Sequence, residues 1–211
     1  PGFNINEATD ILLKRDFDKY REIGEPHPFL VAKERDFLIP FSHEHFELWT
    51  QSLHFGAKDR LNFVDPKTNL KVGGGLDDVW LNINTNCLHI VDYKSTSQKS
   101  DKGPITLDDP WKASYKRQMD LYVWVLRKKG FHVDDVGYFL YCDGDRFGEY
   151  DFLSSTTASM NFKITLIDYK TNDTWIEPTL QDISECLNES KRPQHSDYCE
   201  YGKFLTQSLN Q

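Results

Sequence analysis

Two neighbouring stretches constrain the fold of this chain more than any other part of its sequence. The first is Gly73-Gly74-Gly75-Leu76-Asp77-Asp78-Val79-Trp80, and the second is Leu88-His89-Ile90-Val91-Asp92-Tyr93-Lys94. Residues 76–83 and 87–93 have strand-like composition, and residues 84–86 (Asn-Thr-Asn) are typical of a turn. We therefore predict an antiparallel hairpin whose two strands each carry acidic side chains.

The polar residues of this hairpin suit one kind of chemistry. Asp92 and Lys94 share a face, because strand side chains alternate between the two faces of a sheet. Carboxylate oxygens are ligands of hard divalent cations, and a lysine beside them is placed to act on a water molecule. The hairpin alone thus indicates a metal site, although a strand-end turn and a same-face surface pair remain ordinary alternatives.

The elements predicted around the hairpin alternate between helix and strand, which indicates an α/β (α+β) protein. Apolar residues recur at helical spacing in residues 5–23, 40–53, 111–129 and 175–188. Further strands are predicted at residues 60–64, 70–73 and 136–141, and a hairpin at residues 146–153 and 161–169. The tail from Ser190 onward is polar, and we expect it to be loosely structured.

Three short motifs follow one another along the chain: Gly74-Gly75-Leu76-Asp77, Asp92-Tyr93-Lys94 and Gln118-Met119-Asp120-Leu121-Tyr122. In order and on these element types, they resemble the G-x-h-D, (D/E)-h-K and Q-x-x-x-Y motifs of the PD-(D/E)xK nuclease superfamily. More narrowly, they resemble its RecB-like and CRISPR-associated exonuclease branch. The resemblance covers about residues 40–142. It implies a restriction-endonuclease-like core, with a central mixed sheet and flanking helices, in a single domain spanning residues 1–211.

The resemblance also implies a metal centre. Asp77 and Asp92 would bind Mg²⁺ or Mn²⁺, and the main-chain carbonyl of Tyr93 would complete the oxygen shell. Asp78 is an alternative to Asp77, which we prefer because it follows an apolar residue in the family spacing. We then expect Asp78 to point away from the proposed metal and to be exposed to solvent.

Three further residues receive roles from the same resemblance. Lys94 would position the attacking water, help to deprotonate it and stabilise the phosphate. Gln118 would orient the water or a phosphate, and Tyr122 would pack beside it one helical turn later. A second Asp-Tyr-Lys, residues 168–170, lacks the other two motifs around it, and we interpret it as the end of a structural strand.

The RecB-like branch adds a histidine ligand from the helix before the sheet. His43 and His45 are both candidates, and Glu47 follows His43 at helical spacing. About 200° separates the two histidines on a helix, so only one of them can face the sheet. We favour His43 and leave His45 as the alternative.

Charge is unevenly distributed over a chain with a net charge of −8. Residues 94–129 contain nine Lys/Arg and four Asp/Glu, a net +5 that leaves −13 for the remainder. We predict that this segment tracks phosphates, with Trp111 and Tyr115 available for base stacking, although a solvated helix face is the ordinary alternative. The implied partner is single-stranded or end-bearing DNA. The alternative function is a catalytically inactive nucleic-acid-binding or protein-interaction module.

The four cysteines, at positions 87, 142, 186 and 199, form no C-x-x-C pair. Some members of the CRISPR-associated branch bind a four-iron cluster through four cysteines, but Gly202 stands where a partner of Cys199 would be, so we expect no iron–sulfur cluster. The sequence has no apolar run of membrane-spanning length and no signal-peptide pattern. We expect no membrane association, a cytoplasmic location in a prokaryote or phage, and protein partners in a repair or defence complex; the sequence does not specify an oligomeric state.

Overall fold

The computed structural model describes residues 4–51, 60–98, 103–191 and 193–209. Its helices and strands follow in the order α1 (Asn4–Ile23), α2 (Pro28–Ala32), β1 (Leu38–Pro40), α3 (Phe46–Trp49), β2 (Asn62–Val64), β3 (Lys71–Gly73), β4 (Asp78–Asn82), β5 (Cys87–Thr96), α4 (Ala113–Lys128), β6 (Val136–Gly144), β7 (Phe162–Lys170), α5 (Ile176–Asn188) and α6 (Glu200–Leu209). A short 3₁₀ turn, Pro110–Lys112, leads into α4.

The centre of the molecule is a mixed five-stranded sheet in the order β1-β4-β5-β6-β7. Neighbouring strands are antiparallel except β5 and β6, which are parallel because α4 carries the chain across the sheet between them. Strands β2 and β3 pair separately as a two-stranded ribbon. This is the predicted α/β architecture, a mixed central sheet with flanking helices and a restriction-endonuclease-like fold.

Each face of the sheet has its own apolar core, because side chains alternate along β4, β5 and β6. Val79, Ile90 and Phe139 pack on one face against α4. Trp80 and Val91 point to the other face, where the core also contains Phe17 of α1. Polar side chains at the strand ends are therefore held between two packed layers.

The two elements on which the predicted site depends are confirmed. Strands β4 and β5 pair antiparallel from Asp78↔Val91 to Asn82↔Cys87. Their turn contains Asn86 with a φ of +55°, a left-handed conformation that asparagine tolerates better than most residues. Helix α4 occupies most of the predicted range 111–129.

The predicted helix over residues 40–53 is wrong in its first part. Pro40 belongs to β1 and pairs with Trp80 of β4, and the N–H of Phe41 continues the pairing to the carbonyl of Val79. Proline is compatible with an edge strand, since one side of such a strand needs no N–H donors. Helix α3 covers only four residues. The last two residues of the predicted helix, 52 and 53, lie outside the described residues.

Two predictions in the C-terminal part of the chain are also wrong. Strand β7 pairs with β6 over its full length, from Val136↔Lys170 to Gly144↔Phe162, rather than with residues 146–153. Strand β6 extends beyond its predicted end at residue 141, and β7 pairs with the whole of this longer strand. The second half of the tail forms α6, Glu200–Leu209, whereas the described residues between 190 and 199 contain no helix or strand, so the expectation of a loose tail is wrong only for the second half. Within the described ranges, no helix is long and apolar enough to cross a membrane.

Candidate active site

The β4–β5 hairpin brings Asp77 and Asp92 into one electrostatic cluster. Asp77 immediately precedes β4, and its Oδ2 accepts a hydrogen bond of 2.8 Å from the main-chain N–H of Tyr93. Asp92 immediately precedes Tyr93 on β5, and the negative charge of Asp77 contributes to raising the pKa of Asp92. The hydrogen bond therefore ties one carboxylate to the strand that carries the other.

Asp92 is a buried carboxylate with few partners. It is 2% exposed, and Lys94 Nζ forms an ion pair with its Oδ2. Neither carboxylate oxygen accepts a hydrogen bond of ordinary geometry from the described residues. Burial is the main cause of a pKa raised to about 7, and repulsion from Asp77 adds to it while Lys94 opposes it. A cation placed here would satisfy both oxygens.

Lys94 is held between this carboxylate and an aromatic ring. Its side chain shares a face of β5 with Asp92, as predicted, and its Nζ lies 4.6 Å from the ring centroid of Tyr115. Tyr115 belongs to the first turn of α4. The ammonium group is thus directed toward the space between β5 and the beginning of α4.

Tyr122 joins the predicted glutamine to the glycine run. Its hydroxyl donates to the carbonyl of Gly75 at 2.7 Å and accepts from Gln118 Nε2 at 3.0 Å. A Cβ at Gly74 would lie 2.8 Å from Cε1 of the same ring, so this close approach requires glycine. Through Tyr122, Gln118 is therefore held close to the glycine run that leads into Asp77.

The expectation for Asp78 is wrong in one respect. Its side chain does face away from Asp92, but it is 1% exposed rather than solvated. It accepts hydrogen bonds from the side chains of Arg21, Trp80 and Tyr93 at 2.6, 3.1 and 2.7 Å. A carboxylate surrounded by donors in this way has no free oxygen for a metal, so Asp78 holds α1 and β5 against β4.

Helix α1 contributes two residues that the sequence did not point to. Lys14 Nζ lies 2.9 Å from Asp10 Oδ2 and 3.6 Å from Asp77 Oδ1. Asp10 raises the pKa of both Asp77 and Asp92, after the larger effect of burial in each case. The spacing of Asp10 and Lys14 is visible in the sequence, but it cannot reveal a contact with a hairpin more than sixty residues away.

The structure does not bring His43 to the carboxylates. Its ring stacks on Trp49 at 4.5 Å, and its Nδ1 accepts a hydrogen bond from the N–H of His45. Burial and the neighbouring His45 lower its pKa. Neither histidine lies in a helix, because α3 begins at Phe46, and no contact joins either one to Asp77 or Asp92 among the described residues.

The predicted basic segment is divided between two places. Its beginning lies at the site, where Lys94 and Lys112 flank Tyr115. At the other end of α4, about 20 Å away at 1.5 Å per residue, Arg127 pairs with two aspartates and Lys128 pairs with Glu177. Lys99 and Lys102 lie outside the described residues.

The second Asp-Tyr-Lys is confirmed as a strand end. These residues close β7, and the hydroxyl of Tyr169 donates to Asp120 at 3.1 Å. Asp168 forms an ion pair with Arg35. Cys199, the other family-like feature, has its Sγ 3.4 Å from His195 Nδ1, and all four cysteines are free thiols. The absence of an iron–sulfur cluster stays a prediction.

The donor set fits a divalent cation at Asp92. A buried carboxylate whose one partner among the described residues is Lys94, next to a second carboxylate, offers the hard oxygen ligands that Mg²⁺ and Mn²⁺ prefer. Within the part of the chain that the structure describes, no three His, Cys, Asp or Glu side chains already converge on one point. Two carboxylates with a main-chain carbonyl and waters are sufficient for such an ion, since Mg²⁺ usually keeps several waters.

The mixed sheet, with two carboxylates and a lysine at its central hairpin, agrees with the resemblance to a class of phosphodiester-hydrolysing enzymes. The model of the PD-(D/E)XK nuclease superfamily matches residues 7–201, and the chain belongs to this superfamily. Its members generally use divalent metals such as Mg²⁺, and DNA is the substrate that membership implies. No curated protein and no solved structure matches the chain significantly.

Proposed function

We propose that this protein is a Mg²⁺- or Mn²⁺-dependent deoxyribonuclease that hydrolyses phosphodiester bonds by attack of water. The observation that carries the proposal is Asp92, a buried carboxylate whose one partner among the described residues is the ammonium group of Lys94. Keeping such a group costs stability, because burial disfavours its charge. That cost is explained if the group binds a cation needed for activity.

Asp77, Asp92 and the carbonyl of Tyr93 would hold the metal. When bound, the ion would supply Lewis-acid stabilisation of a phosphate oxygen and lower the pKa of a bound water. Within the chain, the N–H of Tyr93 keeps the carboxylate of Asp77 in place beside β5. The shared β-hairpin keeps the two carboxylates at a constant separation, which is the preorganisation that such a site needs.

Lys94 and Gln118 act on the water and the phosphate in this proposal. Lys94 Nζ, held between Asp92 and the ring of Tyr115, orients the attacking water, and its positive charge stabilises the phosphate. Gln118 orients the water or a phosphate oxygen through its amide. Tyr122 is a positioning residue, because its hydroxyl holds both Gln118 and the Gly75 carbonyl.

We leave His43 out of the proposed metal site and place Asp10 among the charges around it, not among the ligands. The aromatic stacking of His43 on Trp49 gives that ring a packing role, whereas Asp10 acts electrostatically on both carboxylates. Lys14 neutralises part of this cluster, since it lies between Asp10 and Asp77. The charge of Lys14 would therefore oppose the binding of a divalent ion.

The chain offers a matched control for the test of activity. Labelled single-stranded and double-stranded DNA would be incubated with Mg²⁺ or Mn²⁺ and the wild-type protein, Lys94→Ala or Lys170→Ala. Lys170 ends the second Asp-Tyr-Lys on β7 and has no role in the proposed site. We expect Lys94→Ala to lose cleavage and Lys170→Ala to keep it; equal cleavage by all three proteins would overturn the assignment.

We further propose that the enzyme is an exonuclease of the RecB-like type acting on single strands or ends. The supporting features are the order of the three motifs and the exposed Trp111 beside Tyr115 near Lys94. Linear and circular single-stranded DNA of one sequence separate the two modes of cleavage. Degradation of the linear form alone is expected, whereas cutting of the circle would show endonuclease activity.

The alternative function is a catalytically inactive module that binds nucleic acid or protein. Retention of Asp77, Asp92, Lys94 and Gln118 together speaks against it. Calorimetry with Mn²⁺ discriminates between the two functions. Heat of binding that disappears in Asp92→Asn supports the nuclease, and the absence of binding by the wild-type protein supports the inactive module.

A further inference from the structure

A cavity of about 580 Å³ opens beside Lys94, between the end of β5 and the beginning of α4. Its volume is in the range of pockets that bind small molecules. The lining residues that matter here are Lys94, Gln98, Trp111, Tyr115, Tyr141 and Arg146. The cavity therefore shares one residue, Lys94, with the proposed catalytic cluster and extends away from it.

The wall of this cavity contains a buried hydroxyl without a partner. Tyr141 of β6 is the register neighbour of Lys94 on β5, and it is 3% exposed. Its hydroxyl makes no hydrogen bond with the described residues. Burial raises its pKa, so the hydroxyl stays protonated and is available as a donor. A buried polar group without a partner is costly to stability, and a ligand that accepts its hydrogen bond would remove that cost.

The rim of the cavity presents an aromatic ring held in place from two sides. Trp111 is 60% exposed, and its ring meets Tyr115 edge to face at 5.4 Å. Lys112 lies 5.1 Å from the same indole and is itself fixed by Asp109 and by the carbonyl of Thr106. An exposed ring that is already ordered loses little entropy when a flat ligand stacks on it.

We propose that this cavity takes one unpaired nucleotide of the DNA strand being cut, with its base against Trp111 and a polar group on Tyr141. The inference rests on the proposed function, because Lys94 connects the cavity to the reacting phosphate. Stacking needs only the face of a base, so it is tolerant of sequence. A nucleotide inside a duplex cannot offer that face, since its base is stacked and paired. The cavity thus selects single strands and frayed ends.

Charge around the cavity favours the same ligand. Arg146 lines it, and the only partner that the described residues offer its guanidinium is the ring of Phe147, at 4.9 Å. Lys94 lies at the end toward the carboxylates. The backbone of a strand would pass from Lys94 toward Arg146, because both cations attract phosphates.

Binding without cleavage tests the proposal. Fluorescence anisotropy in EDTA would compare a labelled single strand with the matching blunt duplex, for the wild-type protein, Trp111→Ala and Tyr141→Phe. We expect Trp111→Ala to weaken single-strand binding about tenfold and duplex binding much less. Tyr141→Phe should weaken it about threefold without lowering the thermal unfolding midpoint, since an unsatisfied hydroxyl is removed.

Two control variants match these changes. Tyr138→Phe alters a buried tyrosine on the opposite face of β6, and Tyr198→Ala removes an exposed aromatic ring elsewhere. Both should bind single strands like the wild type. Unchanged single-strand binding by Trp111→Ala and Tyr141→Phe, or an equal loss for single strand and duplex, would overturn the cavity proposal.

The test of the cavity can succeed or fail independently of the test of nuclease activity. Cleavage that depends on Lys94, together with binding that is insensitive to Trp111 and Tyr141, rejects the cavity and keeps the nuclease. Binding that depends on the two aromatic residues, in a protein that cuts no DNA, keeps the cavity and rejects the nuclease. Binding is measured without metal, so the second result does not depend on an active centre.

Discussion

The carboxylate of Asp77 accepts a hydrogen bond of 2.8 Å from the main-chain N–H of Tyr93, while the hydroxyl of the same tyrosine donates to Asp78 at 2.7 Å. The main-chain N–H of Tyr93 thus binds one of the two adjacent aspartates, and its side-chain hydroxyl binds the other. Asp77 is left at the edge of the cluster that contains Asp92, and Asp78 is enclosed on the side of α1. This arrangement supports the proposal that Asp77 serves the chemistry, whereas Asp78 stabilises the fold.

Matched substitutions of the two aspartates should separate these roles. Asp78→Asn is expected to destabilise the fold by about 3–5 kcal/mol, because it breaks the buried ion pair with Arg21 and leaves that guanidinium only the half-exposed carboxylate of Asp18 as an ion-pair partner among the described residues. Asp77→Asn should cost less than about 1 kcal/mol, since burial already disfavours its charge, yet should abolish cleavage. Chemical denaturation and DNA digestion measure the two effects; a reversed pattern would make Asp78 the metal ligand.

Stability should decrease with rising pH because of Asp92. The pKa of about 7 in the folded protein exceeds the ordinary 3.8, so the folded state binds this proton more tightly than the unfolded state does. The free energy of unfolding should therefore fall between about pH 4 and about pH 7, by up to about 4 kcal/mol, and level off above that range. Denaturation across this pH range without metal is the measurement.

Asp92→Asn should remove the part of this pH dependence that Asp92 contributes, and a part from Asp77, whose pKa burial also raises, should remain. At about pH 8 the variant is expected to be about 2 kcal/mol more stable than the wild type and inactive, because it no longer buries a charge. Asp168→Asn, in the second Asp-Tyr-Lys, is the control and should change neither property, since that side chain is half exposed. Loss of stability in Asp92→Asn would contradict the interpretation of Asp92 as a functional charge.

Metal binding should strengthen as Asp92 loses its proton. A carboxylate must be ionised to bind a cation, so Mn²⁺ affinity should rise about tenfold per pH unit below about pH 7 and level off above it. Titration calorimetry between about pH 6 and about pH 8 checks this expectation. An affinity independent of pH over that interval would place the metal elsewhere.

Removal of the Lys14 charge should tighten metal binding. Lys14 Nζ lies 3.6 Å from Asp77 Oδ1, so it repels a divalent ion bound at that carboxylate. We expect Lys14→Met to bind Mn²⁺ about three- to tenfold more tightly. Lys19→Met is the control on the same helix, because Lys19 pairs with Asp16 and faces solvent. Weaker binding in Lys14→Met would mean that Lys14 organises the site instead of opposing the metal.

Gln118 and Tyr122 should differ in their effect on stability. Gln118→Ala removes an amide whose only partner among the described residues is the tyrosine hydroxyl, so cleavage should fall at least about tenfold with unchanged stability. Tyr122→Phe also releases the carbonyl of Gly75 and should cost about 1 kcal/mol. Kinetics and denaturation of both variants measure the two effects. If Gln118 were only structural, Gln118→Ala would lower stability as Tyr122→Phe does.

The local motifs predicted the hairpin and helix α4 because both depend on short-range patterns. The strand-like composition of residues 87–93 and the turn at 84–86 are sufficient to indicate β5 and its partner, and the geometry of a strand places Asp92 and Lys94 on one face. The helix prediction for residues 40–53 failed because Pro40 pairs with Trp80, a partner forty residues away. The spacing of apolar residues within a segment contains no information about an unpaired sheet edge formed by a distant part of the chain.

The sequence by itself determined which side chains are candidates for chemistry, through the order Gly-x-h-Asp, Asp-h-Lys and Gln-x-x-x-Tyr. Only the tertiary structure decided which neighbours surround each of them. Packing of α1 on the sheet encloses Asp78 with Arg21 and brings Asp10 and Lys14 to Asp77, and pairing of β6 with β5 puts Tyr141 beside Lys94. Burial, hydrogen bonding and charge at a residue depend on neighbours distant in sequence, and folding alone brings those neighbours together.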